Sequence, residues 1–241
     1  MTDETFLPPA PPKASLAEDF VDIFFSPREV FARRATSGYA LVMIILTLLI
    51  GGLFLANRGM MDEVMKAEMT RAMADAMKQN PQMTQQQAEA GMKIGTTIAT
   101  FGAFVGVPIA LFLIGFGVWL TARALGATVT YQAATMIATY SYLPRILEAL
   151  SISVQGLFLD TSAMHGRYQL SFGVGRFLDP DMSRGLLALV GRIDLFTLWV
   201  TALIAIGLAV VAKLPREKAF AAGAIMWAFG ALPAVWTLIR G

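Results

Sequence analysis

The sequence predicts an all-α, polytopic integral membrane fold, a bundle of five transmembrane helices with amphipathic interfacial helices. Three observations predict it. Of 241 residues, 56% are hydrophobic and 15% charged, a balance that excludes disorder. Crossing about 30 Å of hydrocarbon takes about 20 mostly apolar residues, and runs of that kind lie near 39–56, 94–122, 133–159, 195–212 and 219–239. Of the 19 Lys and Arg and the 17 Asp and Glu, only Arg145 and Glu148 fall inside these runs. Finally, stretches such as 99–120 and 198–212 are apolar on all sides, whereas a soluble core helix keeps a polar face for water.

The same composition narrows the chemistry. With no cysteine there are no disulfides, thiolate nucleophiles or cysteine-bound metals, and the single His165 cannot build a His-rich metal site. A net charge of +2 gives no reason to expect a nucleic-acid partner. The chain has no phosphate-binding Gly-x-x-x-x-Gly-Lys-Ser/Thr loop, no Gly-x-Gly-x-x-Gly and no Gly-x-Ser-x-Gly, and no aspartate lies inside an apolar run. The expected protein is therefore not an enzyme, needs no cofactor and has no catalytic or metal-binding residues to name.

In chain order, residues 1–14 hold Pro8, Pro9, Pro11 and Pro12 and read as a disordered, Pro-rich tail. The membrane domain then covers 15–241. Asp3, Glu4, Glu18 and Asp19 precede the first apolar run, so no secretory signal is expected and that run stays in the mature chain. From Ser15 a helix is predicted with Leu16, Phe20, Ile23 and Phe24 on one face and Glu18, Asp19 and Asp22 on the other, lying in the membrane interface. Ser26-Pro27-Arg28-Glu29 reads as a capping box that starts a second helix, which carries Val30 and Phe31 into the interface.

Orientation follows from Lys and Arg near the span ends. Arg28, Arg33, Arg34, Arg123, Lys213, Arg216 and Lys218 share the side with the shorter loops, which is the denser in basic residues. The amino terminus is thus expected in the cytoplasm and, with five spans, the carboxyl terminus outside.

Between the first two runs, Met61, Met65, Met69, Met73 and Met77 recur at i+4 beside charged residues, an amphipathic helix. Thioethers suit Cu(I), but a flexible apolar stripe packed on lipid or on the bundle explains the same spacing. Asn80-Pro81 should end that helix, and Thr84 with Gln87 or Glu89 should open the next. Gly102 and Gly106 form a small-xxx-small face, expected to serve packing within the chain more than dimerisation, although a homo-oligomer stays open. Residues 160–194 alternate through Tyr168, Leu170, Phe172 and Val174. Asp179-Pro180 then caps a short interfacial helix.

The third run carries the candidate functional residues, Tyr140, Tyr142, Pro144, Arg145 and Glu148. Pro144 should kink the helix, while Arg145 and Glu148 at i,i+3 can pair on one face. Ionisable groups at bilayer depth suggest a substrate or proton path, against which stands a structural ion pair facing the bundle interior.

With these residues in view, the chain resembles the Yip family of Ypt/Rab-interacting membrane proteins, in its bacterial branch. Three stretches carry the resemblance: Phe24-Phe25-Ser26-Pro27-Arg28-Glu29-Val30-Phe31, Tyr140-Ser141-Tyr142-Leu143-Pro144 and Asp194-Leu195-Phe196-Thr197-Leu198-Trp199. It implies five transmembrane helices, a bacterial inner-membrane location, a cytosolic amino-terminal region and a non-enzymatic scaffold or adaptor role in membrane organisation or trafficking. The partners implied are the lipid bilayer and other membrane proteins. A Rab-type GTPase is not carried over, because the eukaryotic members' Asp-Leu-Tyr-Gly-Pro-like and Gly-rich intramembrane signatures are not legible in this chain. A small transporter or channel using the kinked third run is the rival reading, and an accessory subunit of a membrane complex is a third.

Overall fold

The computed structural model describes residues 15–80, 82, 84–160 and 163–240. The Pro-rich tail and Pro81 lie outside these. Ten α-helices follow in order: α1 (Leu16–Phe25), α2 (Pro27–Arg34), α3 (Ala40–Ala56), α4 (Arg58–Gln79), α5 (Gln85–Ala124), α6 (Tyr131–Ser141), α7 (Pro144–Phe158), α8 (Arg184–Val190), α9 (Leu195–Val211) and α10 (Arg216–Arg240). Among the described residues there is no β-strand, only an isolated bridge between Gly173 and Asp194. The alternating 168–174 segment forms 3₁₀ turns instead of a strand, and one of them spans Arg167–Leu170.

Among the described residues, two helices are long and apolar enough to cross a membrane, Phe101–Ala124 within α5 and Arg216–Ile239 in α10. A third arises if α3 and α4, bent by 69° at Asn57, are taken together. α9 is apolar but has 17 residues, the lower limit for a span. The expected continuous third span is corrected to two helices, α6 with 11 residues and α7 with 15. At about 1.5 Å per residue neither crosses about 30 Å alone. The cause is Pro144. It has no amide to donate, and Tyr142-Leu143 closes the break with i→i+3 bonds, Leu143 N to Tyr140 O at 3.3 Å and Arg145 N to Tyr142 O at 2.9 Å.

α5 packs on α3, α6 and α10, while α9 packs on α2, α6 and α10, and the core fills between them. Thr84 and Gln87 form the expected capping box at the start of α5. At its other end Gly126, with φ +84°, lets Ala127 N return to Ala122 O at 2.9 Å. The close approach of α5 and α6 occurs at Gly115, where a Cβ would stand 2.9 Å from the Thr135 backbone. Gly102 and Gly106, expected to pack within the chain, meet nothing within 4 Å. That expectation is corrected: the surrounding Ile98, Phe101, Val105 and Ile109 are exposed, so among the described residues no helix lies against this side of α5.

The amino-terminal arm also differs from the expectation. Ile23, Val30 and Phe31 are fully buried, and Leu16, Phe20 and Phe24 pack on the same core. Phe24 meets Trp199 edge-on at 5.5 Å, and Phe31 lies against Gly207, so the arm runs along the flank of α9. Its apolar face is covered by protein and not by lipid. The capping box sits at Ser15 and Glu18, not at Ser26 and Glu29. The Ser26 amide already donates to Asp22 O at 2.6 Å to close α1, leaving Glu29 nothing to reach back for.

In the second long loop, Asp179 accepts from the Asp181 amide at 2.8 Å, a local turn, and α8 starts at Ser183 without a side-chain cap. Instead of lying alone in the interface, α8 packs on α10, with Gly185 against Leu238.

Candidate functional site

The break between α6 and α7 sits between two ionic clusters. Thr130 caps α6 by accepting from Ala133 N at 3.1 Å, and the helix carries Tyr140 into the core, fully buried. There the phenol donates to Asp19 at 3.4 Å. Asp19 has 0% side-chain exposure and accepts from Arg33 Nε at 2.7 Å and Arg34 Nε at 2.5 Å. Arg33 also donates to Asp22 at 2.6 Å. Burial opposes the Arg33 charge, yet its hydrogen bonds to Asp22 and Asp19, with their charges, outweigh that and raise its pKa above the ordinary value. Two carboxylates thus face two guanidiniums, and the arm is clamped to the end of α6.

On the α7 side, Pro144 opens the helix at N1, where its missing amide costs nothing. From the next position, Arg145 Nη1 donates to Glu148 Oε2 at 2.5 Å and Nη2 to Thr197 Oγ1 at 2.8 Å. Its guanidinium stands 5.8 Å from the Tyr142 ring centroid. Thr197 is held by the start of α9, where Asp194 Oδ1 accepts from the amides of Phe196 and Thr197 at 2.9 and 3.0 Å. Arg192 donates to Trp227 O at 3.0 Å, and burial together with the nearby Arg145 charge lowers its pKa. Among the described residues, Ser141 Oγ, Arg145 Nε, Arg192 Nε and Trp227 Nε1 are buried with no partner.

The predicted residues therefore divide. Tyr142, Arg145 and Glu148 come together, Pro144 serves the backbone, and Tyr140 belongs to the other cluster, facing Asp19. Sequence reasoning missed Asp19, Arg33, Arg34 and Thr197 as site residues. For Asp19 a signal existed: it lies three residues after Leu16 and four before Ile23, which puts it at the edge of the apolar face. Thr197 carried none, since a threonine in an apolar helix usually bonds its own backbone.

The Met stripe forms α4, and Met65 and Met69 line a cavity of about 510 Å³ with Met182, Glu68 and Arg71. Arg71 reaches across that cavity to Asp181 at 3.4 Å and to the carbonyls of Pro180 and His165. His165 donates its amide to Gln169 at 2.7 Å. Among the described residues no three His, Asp or Glu side chains cluster to hold a metal ion.

No curated protein and no solved structure matches the chain. The family model of the Yip1 domain matches residues 21–237, which takes in the arm from the middle of α1 onward, the broken third run and all of α9. Matched over residues 21–237, the chain belongs to the Yip1 domain family.

Proposed function

We propose that this protein is a non-enzymatic scaffold or adaptor in membrane organisation or trafficking, of the bacterial branch of its family and resident in the inner membrane. The observation that carries this reading is the use of the intramembrane charges. Arg145 is bonded to Glu148 and Thr197, so the pair braces α7 against α9 instead of standing open as an ionisable group along a path. The exposed apolar side of α5, with Ile98, Phe101 and Val105, supports contact with lipid or with other membrane proteins, a second copy included. In this reading α3, α5, the pair α6–α7, α9 and α10 each cross the bilayer. The amino terminus is then cytoplasmic and the carboxyl terminus outside.

The test is purification of the full chain in mild detergent, followed by mass spectrometry of what accompanies it. A reproducible set of membrane proteins, lost when Phe101 and Val105 are replaced by lysine, supports the scaffold. A chain that arrives alone from every detergent overturns it.

A second reading, a small transporter or channel through the kinked run, is favoured by the buried unpartnered Ser141 Oγ, Arg145 Nε and Arg192 Nε. It requires Glu148→Gln to abolish a solute flux while leaving the co-purifying proteins in place. An accessory subunit would show one dominant companion at fixed stoichiometry.

A further inference from the structure

Between α7 and α9 lies a groove of about 450 Å³. Leu147, Leu150 and Val154 form one wall, and Phe172, Phe196 and Trp199 the other. Neither Arg145 nor Glu148 lines it. Most of its side chains are exposed, Val154 by 53% and Leu150 by 43%, so the groove opens on the surroundings of the bundle. At Trp199 the ring of Phe24 stands edge-on.

The far end is polar. Gln155 lines the groove there, donating to Leu170 O at 3.0 Å and accepting from Arg176 Nη1 at 2.8 Å. That neutral amide is the hydrogen-bond partner of Arg176, and no carboxylate pairs with it among the described residues. Ser171, next to Phe172, has a buried hydroxyl without a partner among the described residues. The apolar gutter ends at Gln155, with the guanidinium of Arg176 one hydrogen bond behind it, and this has the polarity of one amphiphile. A neutral lipid would fill the gutter but leave Arg176 without a counter-charge.

We propose that this groove binds one bilayer phospholipid with an anionic headgroup, its acyl chain along the α7–α9 walls and its phosphate at Arg176. The proposal rests on α7 and α9 meeting lipid, not on the scaffold role. Basic sites beside transmembrane helices recognise headgroups by this charge pairing, which in a low-dielectric setting is specific as well as attractive.

The probe is phosphatidylglycerol brominated on its acyl chains, titrated into the detergent-solubilised full chain, with tryptophan fluorescence as the readout. A quenching component is expected to saturate at stoichiometric lipid and to vanish in Trp199→Phe. Losing the charge-assisted contact in Arg176→Gln, or changing the probe to brominated diacylglycerol, which has no phosphate, should require about tenfold more lipid. Val154→Phe, which fills the gutter without touching Arg176, should remove the component. Quenching that rises without saturation and equally for both lipids overturns the site. If Arg176→Gln does not fold, the ratio between the two lipids on the unmodified chain decides alone. A different failure marks the membrane reading itself: acrylamide would then quench Trp199 as well in lipid nanodiscs as in detergent.

Discussion

Asp19 takes both oxygens out of water and spends them on two guanidiniums and a phenol. Removing one partner of such a buried set leaves uncompensated charge, at a cost of about 3–5 kcal/mol. Asp19→Asn is therefore expected to lower unfolding stability in detergent by that amount. Asp22→Asn, at a carboxylate 37% exposed, should cost less than about 1 kcal/mol. Equal melting shifts for the two would mean that the clamp does not bear on stability. The Arg145–Glu148 pair calls for a double-mutant cycle. Either single leucine substitution should destabilise by about 3–5 kcal/mol and the double by less than their sum. Strict additivity would show that the pair does not interact. Because Arg145 also holds Thr197, the double should still cost the one hydrogen bond, about 1 kcal/mol. The Arg145–Glu148 pairing was legible from i,i+3 spacing on one helix. The Asp19 cluster joins residues 121 apart in sequence, and no local pattern reports what a carboxylate finds at that distance.

The helices themselves were readable wherever the signal was local. Thr84 and Gln87 announced α5, and the Met stripe announced α4. Pro144 announced a kink, but a run of apolar residues does not state whether the helix on either side of a proline survives as one element, and here it divides into α6 and α7. The glycines show the same limit from the packing side. A small-xxx-small spacing at Gly102 and Gly106 says that a helix could come close, whereas the neighbour arrives at Gly115. Gly115→Ala is expected to destabilise by about 1–3 kcal/mol, since the new methyl would stand 2.9 Å from Thr135 Cα and the backbone must shift. Gly102→Ala should be neutral or stabilising by up to about 1 kcal/mol through helix propensity alone. Thermal melts of the two variants in one detergent check the contrast. A loss at Gly102 equal to that at Gly115 would mean a helix covers α5 there, from this chain or from a second copy.

At the scale of the whole molecule, the all-helical class and the family were legible, while the placement of the arm was not. An amphipathic helix at a membrane protein's edge reads as interfacial, yet α1 and α2 spend their apolar faces on the core. Topology is tested by reporters active only in the cytoplasm. Fused before Ser15 or between Lys213 and Lys218 they should be active, and fused after Met77 or at Gly241 inactive. The reverse pattern overturns the orientation, and equal activity on the two sides of any run removes it from the count. The docked arm also fixes an order of events in biosynthesis. A ribosome adding about 5–20 residues per second needs on the order of ten seconds to pass from Asp19 to Tyr140, and longer to reach Trp199 and Gly207. Through that interval the surfaces that receive Ile23, Phe24 and Phe31 do not yet exist, and Asp19 has no Tyr140 hydroxyl to accept from. The arm, made before the helices that receive it, is accordingly among the last segments to be seated, and a nascent chain released before α9 carries an open arm whose exposed phenylalanines mark it as unfinished.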